Sequence, residues 1–211
     1  MNLKFFGETL LPYFFNKKPQ NSIPLWVIKN GNLTKWLEDK PKIYRVWLKS
    51  NNFKEKAGKH ILLPKPSGEI AGLIAIVHKK ISIWSLADIP VKVKNKYFFI
   101  ENDISSDEET KLVIGWGLGT YKFSLYKKNN SEYSSLYVSK KVNWDKARRI
   151  IAGTFFSRDL VNIPANDLGP NEFESAARDL GKNYGADVDV VIGNNLISSF
   201  PTIYTVGAKL D

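Results

Sequence analysis

The sequence predicts an α/β protein, and three observations carry that expectation. Ile61 to Leu63, a turn marked by Pro64, Pro66 and Gly68, and the isoleucine- and alanine-rich run from Ile70 to Val77 read as strand, turn and strand. Ser106 is followed by Asp107, Glu108 and Glu109 and then by an apolar run, the pattern of a capped helix. A helix opening at Pro170 leads directly into the valine-rich stretch Val188 to Ile192, as at the start of an α/β layer.

Taken in order, Pro24 to Lys29 reads as a short strand and Leu33 to Leu37, with Trp36 inside it, as a short helix. After the strand pair, Val91, Val93 and Tyr97 to Ile100 suggest a further strand, interrupted by Lys94 to Lys96. The helix from Ser106 carries Leu112, Val113, Ile114, Trp116 and Leu118, apolar around its circumference, so its later half is expected to be enclosed. A polar loop around Asn129 precedes a strand from Ser134 to Ser139. Trp144 to Val161 is the longest helical candidate. At about 100° per residue, Trp144, Ala147, Ile150, Ile151, Phe155 and Val161 form one apolar stripe. The chain then turns through Ala165 to Gly169, and Pro170 begins a helix whose apolar side is Phe173, Ala176, Ala177 and Leu180, ended by Gly181 or Gly185.

Composition sets outer bounds. The 211 residues suffice for one large domain, or for one ordinary domain and part of another. Hydrophobic content of 43% excludes wholesale disorder. No apolar run approaches the roughly 18 to 20 residues of a membrane span. The first residues, Met1 to Glu8, lack the apolar core of a secretory signal. Without cysteine there are no disulfides, thiol nucleophiles or thiolate metal ligands, which suits a cytoplasmic setting. The Asn32 and Asn129 triplets are then not expected to be glycosylated.

A net charge of +10 raises nucleic acid as a partner. Arginine, which favours bidentate phosphate and base contacts, occurs only at 45, 148, 149, 158 and 178, so solvated lysines are the simpler reading. Gly115-Trp116-Gly117-Leu118-Gly119 could suggest a phosphate cradle, but a cradle lies between a strand and a helix start. Here a helix precedes the glycines, so close helix packing or a helix end is expected. His60 and His78 lack a zinc-binding spacing, and Asp187 and Asp189 are two carboxylates without further ligands. No Gly-x-Ser-x-Gly elbow is present. From the residues alone the chain is catalytically silent.

Four segments resemble the leucyl aminopeptidase, or cytosol aminopeptidase, family. They are Gly115 to Phe123; Arg158 to Pro170; the helix Glu172 to Leu180; and Phe200 to Gly207. The resemblance implies a macrodomain-like α/β domain over 1–141, with a mixed sheet and flanking helices. It further implies a connecting helix over 142–164 and the incomplete beginning of a C-terminal metallopeptidase domain over 165–211. Members of the family remove N-terminal residues from peptides with two divalent metal ions, zinc or manganese, and assemble as hexamers. None of the family's metal-binding or catalytic motifs matches a position here, so no catalytic residue, metal ligand or bound metal is expected in this chain. Arg158, Asp159, Asn162, Pro164 and Asn166 are the residues expected to shape the domain junction, although ordinary loop structure would use the same residue types. A basic nucleic-acid-binding module is the alternative function. Recognition of a nucleotide-like ligand by the macrodomain-like body is a third.

Overall fold

The computed structural model describes residues 13–126 and 132–207. The amino-terminal stretch read for a signal, and the loop and triplet at Asn129, lie outside the described residues. The described residues divide into two compact units, one up to Asp159 and one from Leu160 onward.

The larger unit contains, in chain order, β1 (Phe14–Phe15), β2 (Ile23–Lys29), α1 (Leu33–Leu37), α2 (Lys42–Ser50), β3 (His60–Pro64), β4 (Ile70–Val77), α3 (Ile89–Lys92), β5 (Tyr97–Ile100), α4 (Ser106–Gly119), β6 (Ser135–Tyr137) and most of α5 (Trp144–Asn162). Among the described residues the strands form a six-stranded sheet in the order β1-β6-β5-β2-β4-β3. Only β3 runs antiparallel to its neighbour, through the hairpin expected around Pro64 to Glu69. The fold is therefore mixed α/β with flanking helices, as the sequence predicts.

Both faces of the sheet are covered, which is why β4 reads as a continuous apolar run rather than an alternation. Leu73, Ala75 and Val77 join Leu25, Val27, Phe98, Leu112 and Trp116 in one core. Ile74 and Ile76, pointing the other way, join Ile28, Leu33, Tyr44 and Leu48 under α1 and α2. On that second face Trp26, Trp36 and Tyr44 pack together, with Trp36 and Tyr44 stacked at 6.3 Å. Along the outer edge of the sheet, Trp47 of α2 donates its indole N–H to the Leu62 carbonyl of β3 at 2.9 Å.

One element is additional to those read from the sequence, and several depart from expectation. The residues Lys42 to Ser50 are helical, with Pro41 at the N-cap position and Tyr44 and Leu48 buried one turn apart. Val91 is not in a strand: Pro90 sits in the first turn of α3, Val93 caps that helix, and β5 begins only at Tyr97. The cap of α4 is one residue earlier than Ser106. Ser105 Oγ accepts from the Glu108 amide at 3.3 Å, and the Ser106 hydroxyl instead donates to the Lys141 carbonyl at 2.6 Å. On α5 the buried residues are Ala147, Ile151 and Ala152, whereas Ile150 and Val161 are exposed. Both lie roughly 80 to 100° around the helix from Ile151, outside the face that Trp144, Ala147 and Phe155 share with it.

The glycines of α4 pack as close-approach positions. A Cβ on Gly115 would lie 1.7 Å from the Ile83 carbonyl oxygen, and one on Gly119 would lie 1.7 Å from that of Ala87. Gly117 faces Ile151 of α5, 2.4 Å from where its Cβ would stand. The motif thus seats α4 against the backbone of 83–87 on one side and against α5 on another.

The smaller unit contains α6 (Pro170–Tyr184), α7 (Asn194–Ser199) and α8 (Pro201–Gly207). Pro170 opens α6, the Gly169 amide donates to Glu172 Oε2 at 3.0 Å, and Gly185 ends the helix in the left-handed conformation at φ 65°. Val188 to Ile192 does not form the expected strand. β-branched residues set a preference, but a strand requires a neighbour to take its amides and carbonyls. Among the described residues this unit contains no other strand.

Candidate functional site

Open parallel sheets bind ligands beyond the carboxyl ends of their strands. In this chain that edge is filled by its own polar groups. Asn102, just after β5, accepts from the Val27 amide of β2 at 2.7 Å. Lys29 at the end of β2 pairs with Glu108 at 2.7 Å, and Lys141 pairs with Asp103. Glu55 Oε1 accepts from the amides of Gly31 and Leu33 at 2.6 and 2.9 Å, where α1 begins. The amino end of α4 would attract an anion if it were bare. It is capped by Ser105 and carries Asp107, Glu108 and Glu109 in its first turn. Those carboxylates interact favourably with the helix dipole, and they repel a phosphate.

The opposite end of α4 is held by α5. No basic residue stands in the last turn of α4. Arg158 of α5 supplies one: its Nη1 donates to the Leu118 carbonyl at 3.1 Å, where a helix end has unsatisfied carbonyls and partial negative charge. Its guanidinium also lies 5.1 Å from the ring centre of Tyr121, and Phe155 meets that ring edge-on at 5.2 Å. The Tyr121 hydroxyl donates to Asp159 Oδ1 at 2.8 Å. Four side chains therefore fasten α5 to the segment that follows α4.

Burial raises the Asp159 carboxyl above the ordinary carboxylate value, and the Tyr121 hydrogen bond offsets only part of the rise. An acid whose folded pKa is raised stabilises the fold fully at pH below its unfolded pKa, and that contribution is lost as pH rises through the folded value. At neutral pH the charge is held at a cost. Asp159→Asn, which keeps an acceptor for Tyr121, is expected to melt above the parent at about pH 7, with the difference closing by about pH 3. Thermal melts across that range test the sign.

Of the residues read as shaping the junction, Arg158 and Asp159 meet around Tyr121, which belongs to the resembling segment Gly115 to Phe123 but is not among the junction residues read from the sequence. Asn162 is the last residue of α5. In the smaller unit the Pro164 carbonyl accepts from the amides of Asp167 and Leu168 at 2.9 and 3.1 Å, closing a turn in which Asn166 is exposed. His60 lies on the edge strand β3, His78 follows β4, and Asp187 and Asp189 are exposed. Among the described residues no group of three or more His, Asp or Glu side chains converges on a possible metal position. They do not fit a two-metal centre. No helix among them is long and apolar enough to cross a membrane.

The model of a family described as M17 aminopeptidase, N-terminal domain, matches residues 23–139, more than half of the chain. The chain belongs to that family. Within the M17 aminopeptidases it is 34% identical to a probable cytosol aminopeptidase of Brucella anthropi over 105 residues, covering 43% of this chain and 21% of that protein. The crystal structure of the Coxiella burnetii cytosol aminopeptidase superposes with a TM-score of 0.79 at 25% identity, over 92% of this chain and 42% of that one. Leucyl aminopeptidase from Trypanosoma brucei shares the fold, with a TM-score of 0.55 at 16% identity over 84% of this chain and 41% of its own. The chain thus spans well under half of these M17 relatives. The match includes α4 and the sheet edge described above apart from Lys141; Arg158 and Asp159 also lie beyond the residues matched by the family model.

Proposed function

We propose that this chain serves as the N-terminal portion of a two-metal leucyl aminopeptidase, an ordered body that supports assembly or controls access while groups outside these residues cleave peptides. The observation that carries the reading is the family match over 23–139, joined to a superposition that takes in 92% of this chain but 42% of the relative. The metals, zinc or manganese, the peptide substrates and a hexameric assembly belong to the same proposal. The clamp of Arg158, Tyr121 and Asp159 supports a positioning role, because it retains a carboxylate at a cost to stability, as functional sites often do.

Purified chain supplied with zinc or manganese is expected to show no chelator-sensitive release of nitroaniline from leucine p-nitroanilide. Turnover abolished by chelator would overturn the reading. In a protein carrying both portions, replacing Pro164 and Asn166 by alanine is expected to change the assembly state or kcat/KM, measured by mass photometry and steady-state kinetics. Unchanged assembly and activity would remove the junction role.

The alternative, a polyanion-binding module, is supported by the net charge of +10. It is weakened by the pairing of Lys29, Lys65, Lys92, Lys111 and Lys141 with carboxylates and by the acidic start of α4. Duplex DNA binding with a steep salt dependence at physiological ionic strength would restore it.

A further inference from the structure

At the amino-terminal ends of β1, β6 and β5, opposite the edge filled by Asn102 and Lys29, a crevice of about 370 Å³ opens between Tyr13, Lys96, Tyr97, Glu132, Tyr133 and Ser135. Its size falls in the lower part of the roughly 300 to 1,000 Å³ range of small-molecule sites.

Its walls are fixed from behind. Ser134, fully buried, accepts from the Lys96 amide at 3.0 Å and donates its hydroxyl to the Val93 carbonyl. The Trp116 indole donates to the Ser134 carbonyl at 3.1 Å. The Ser135 amide donates to the Lys96 carbonyl at 2.8 Å, and the Leu136 amide to that of Tyr13 at 3.0 Å. The three lining segments are thereby tied together, and the Tyr13 and Tyr133 rings meet edge-on at 5.0 Å.

The charges of the crevice are not spent on each other. Glu132 accepts from the Asn95 side-chain amide, and among the described residues neither Glu132 nor Lys96 takes part in a salt bridge. A simple anion placed there meets Glu132, and a simple cation meets Lys96. A molecule bearing both charges offers each of the two side chains a partner of opposite sign. We propose that this crevice binds a small zwitterion, a free amino acid or dipeptide, with its ammonium group on Glu132, its carboxylate on Lys96 and its side chain against Tyr13, Tyr97 and Tyr133. The proposal rests on these side chains and not on the peptidase reading, so either can fail alone.

Calorimetric titration of the 211-residue chain with L-leucine, L-phenylalanine and leucyl-glycine tests it. Saturable binding with a dissociation constant on the order of 1 mM is expected for a ligand of this size. Leucinamide, which lacks the carboxylate, and 4-methylpentanoate, which lacks the ammonium group, are each expected to bind about tenfold more weakly, and the substitutions Glu132→Gln, at an exposed residue, and Lys96→Gln, at a half-buried one, to cost a similar factor for L-leucine. Circular dichroism checks that both variants retain the fold. The proposal is overturned by the absence of saturation up to about 20 mM, twentyfold the expected constant. It is equally overturned by undiminished binding of either single-charge analogue, or by an affinity for L-leucine that neither substitution lowers.

Discussion

Gly115→Ala is expected to lower the unfolding free energy by about 3 kcal/mol, the upper end of ordinary overpacking costs. The new methyl group would stand 1.7 Å from the Ile83 carbonyl oxygen, which belongs to backbone and cannot rotate away. Either α4 or the 83–87 segment must move, and α4 contributes Leu112, Val113, Trp116 and Leu118 to the main core. Gly119→Ala meets the same obstacle at Ala87. Gly153→Ala is the control. It lies within α5, where an added Cβ has nothing within 4 Å, so it is expected to stabilise by about 0.5 to 1 kcal/mol through helix propensity and chain entropy. Urea unfolding followed by tryptophan fluorescence measures all three. A small loss at both Gly115 and Gly119 would mean that α4 does not sit directly on that backbone.

Trp116→Ala is expected to cost about 3 to 5 kcal/mol, the range for a large aromatic removed from a core that only partly collapses. Trp116 is fully buried, meets Phe98 edge-on at 5.9 Å and donates to the Ser134 carbonyl. The loss combines a cavity beneath β5 with an acceptor deprived of its partner. Trp116→Phe separates the two parts. It keeps most of the ring volume and removes the donor, so a loss of about 1 to 3 kcal/mol isolates the desolvated carbonyl. Near-ultraviolet circular dichroism with urea unfolding would read both. A phenylalanine variant as stable as the parent would show that the indole N–H contributes nothing beyond packing.

Much of the sheet is legible in the sequence because its pattern is local. The strand at Pro24 to Lys29, the hairpin around Pro64 to Glu69 and the acidic start of α4 each announce themselves within a few residues. The departures come from two causes. Short helices such as α3 hold too few residues for a period, so Val91 and Val93 read as strand until Pro90 is recognised as a helix start. Val188 to Ile192 has strand composition but no neighbour among the described residues, and composition does not report neighbours. The candidate site divides in the same way. Arg158 and Asp159 are visible as charged residues late in a long helix, whereas their partner Tyr121 lies 38 positions from Asp159. No spacing rule in one sequence joins such a pair.

The indole of Trp47 on the Leu62 carbonyl has a consequence for behaviour at high concentration. An exposed edge strand is a template on which further chains can grow, and such growth begins when an incoming amide finds a vacant acceptor. At the centre of β3 that acceptor is already taken, and Pro64 at the end of the strand offers no amide in return. An arriving strand would have to displace a ring packed along the rim before forming its first bond there. Ribbon-like aggregation from this side is therefore resisted by one aromatic residue from a helix that contributes no strand to the sheet.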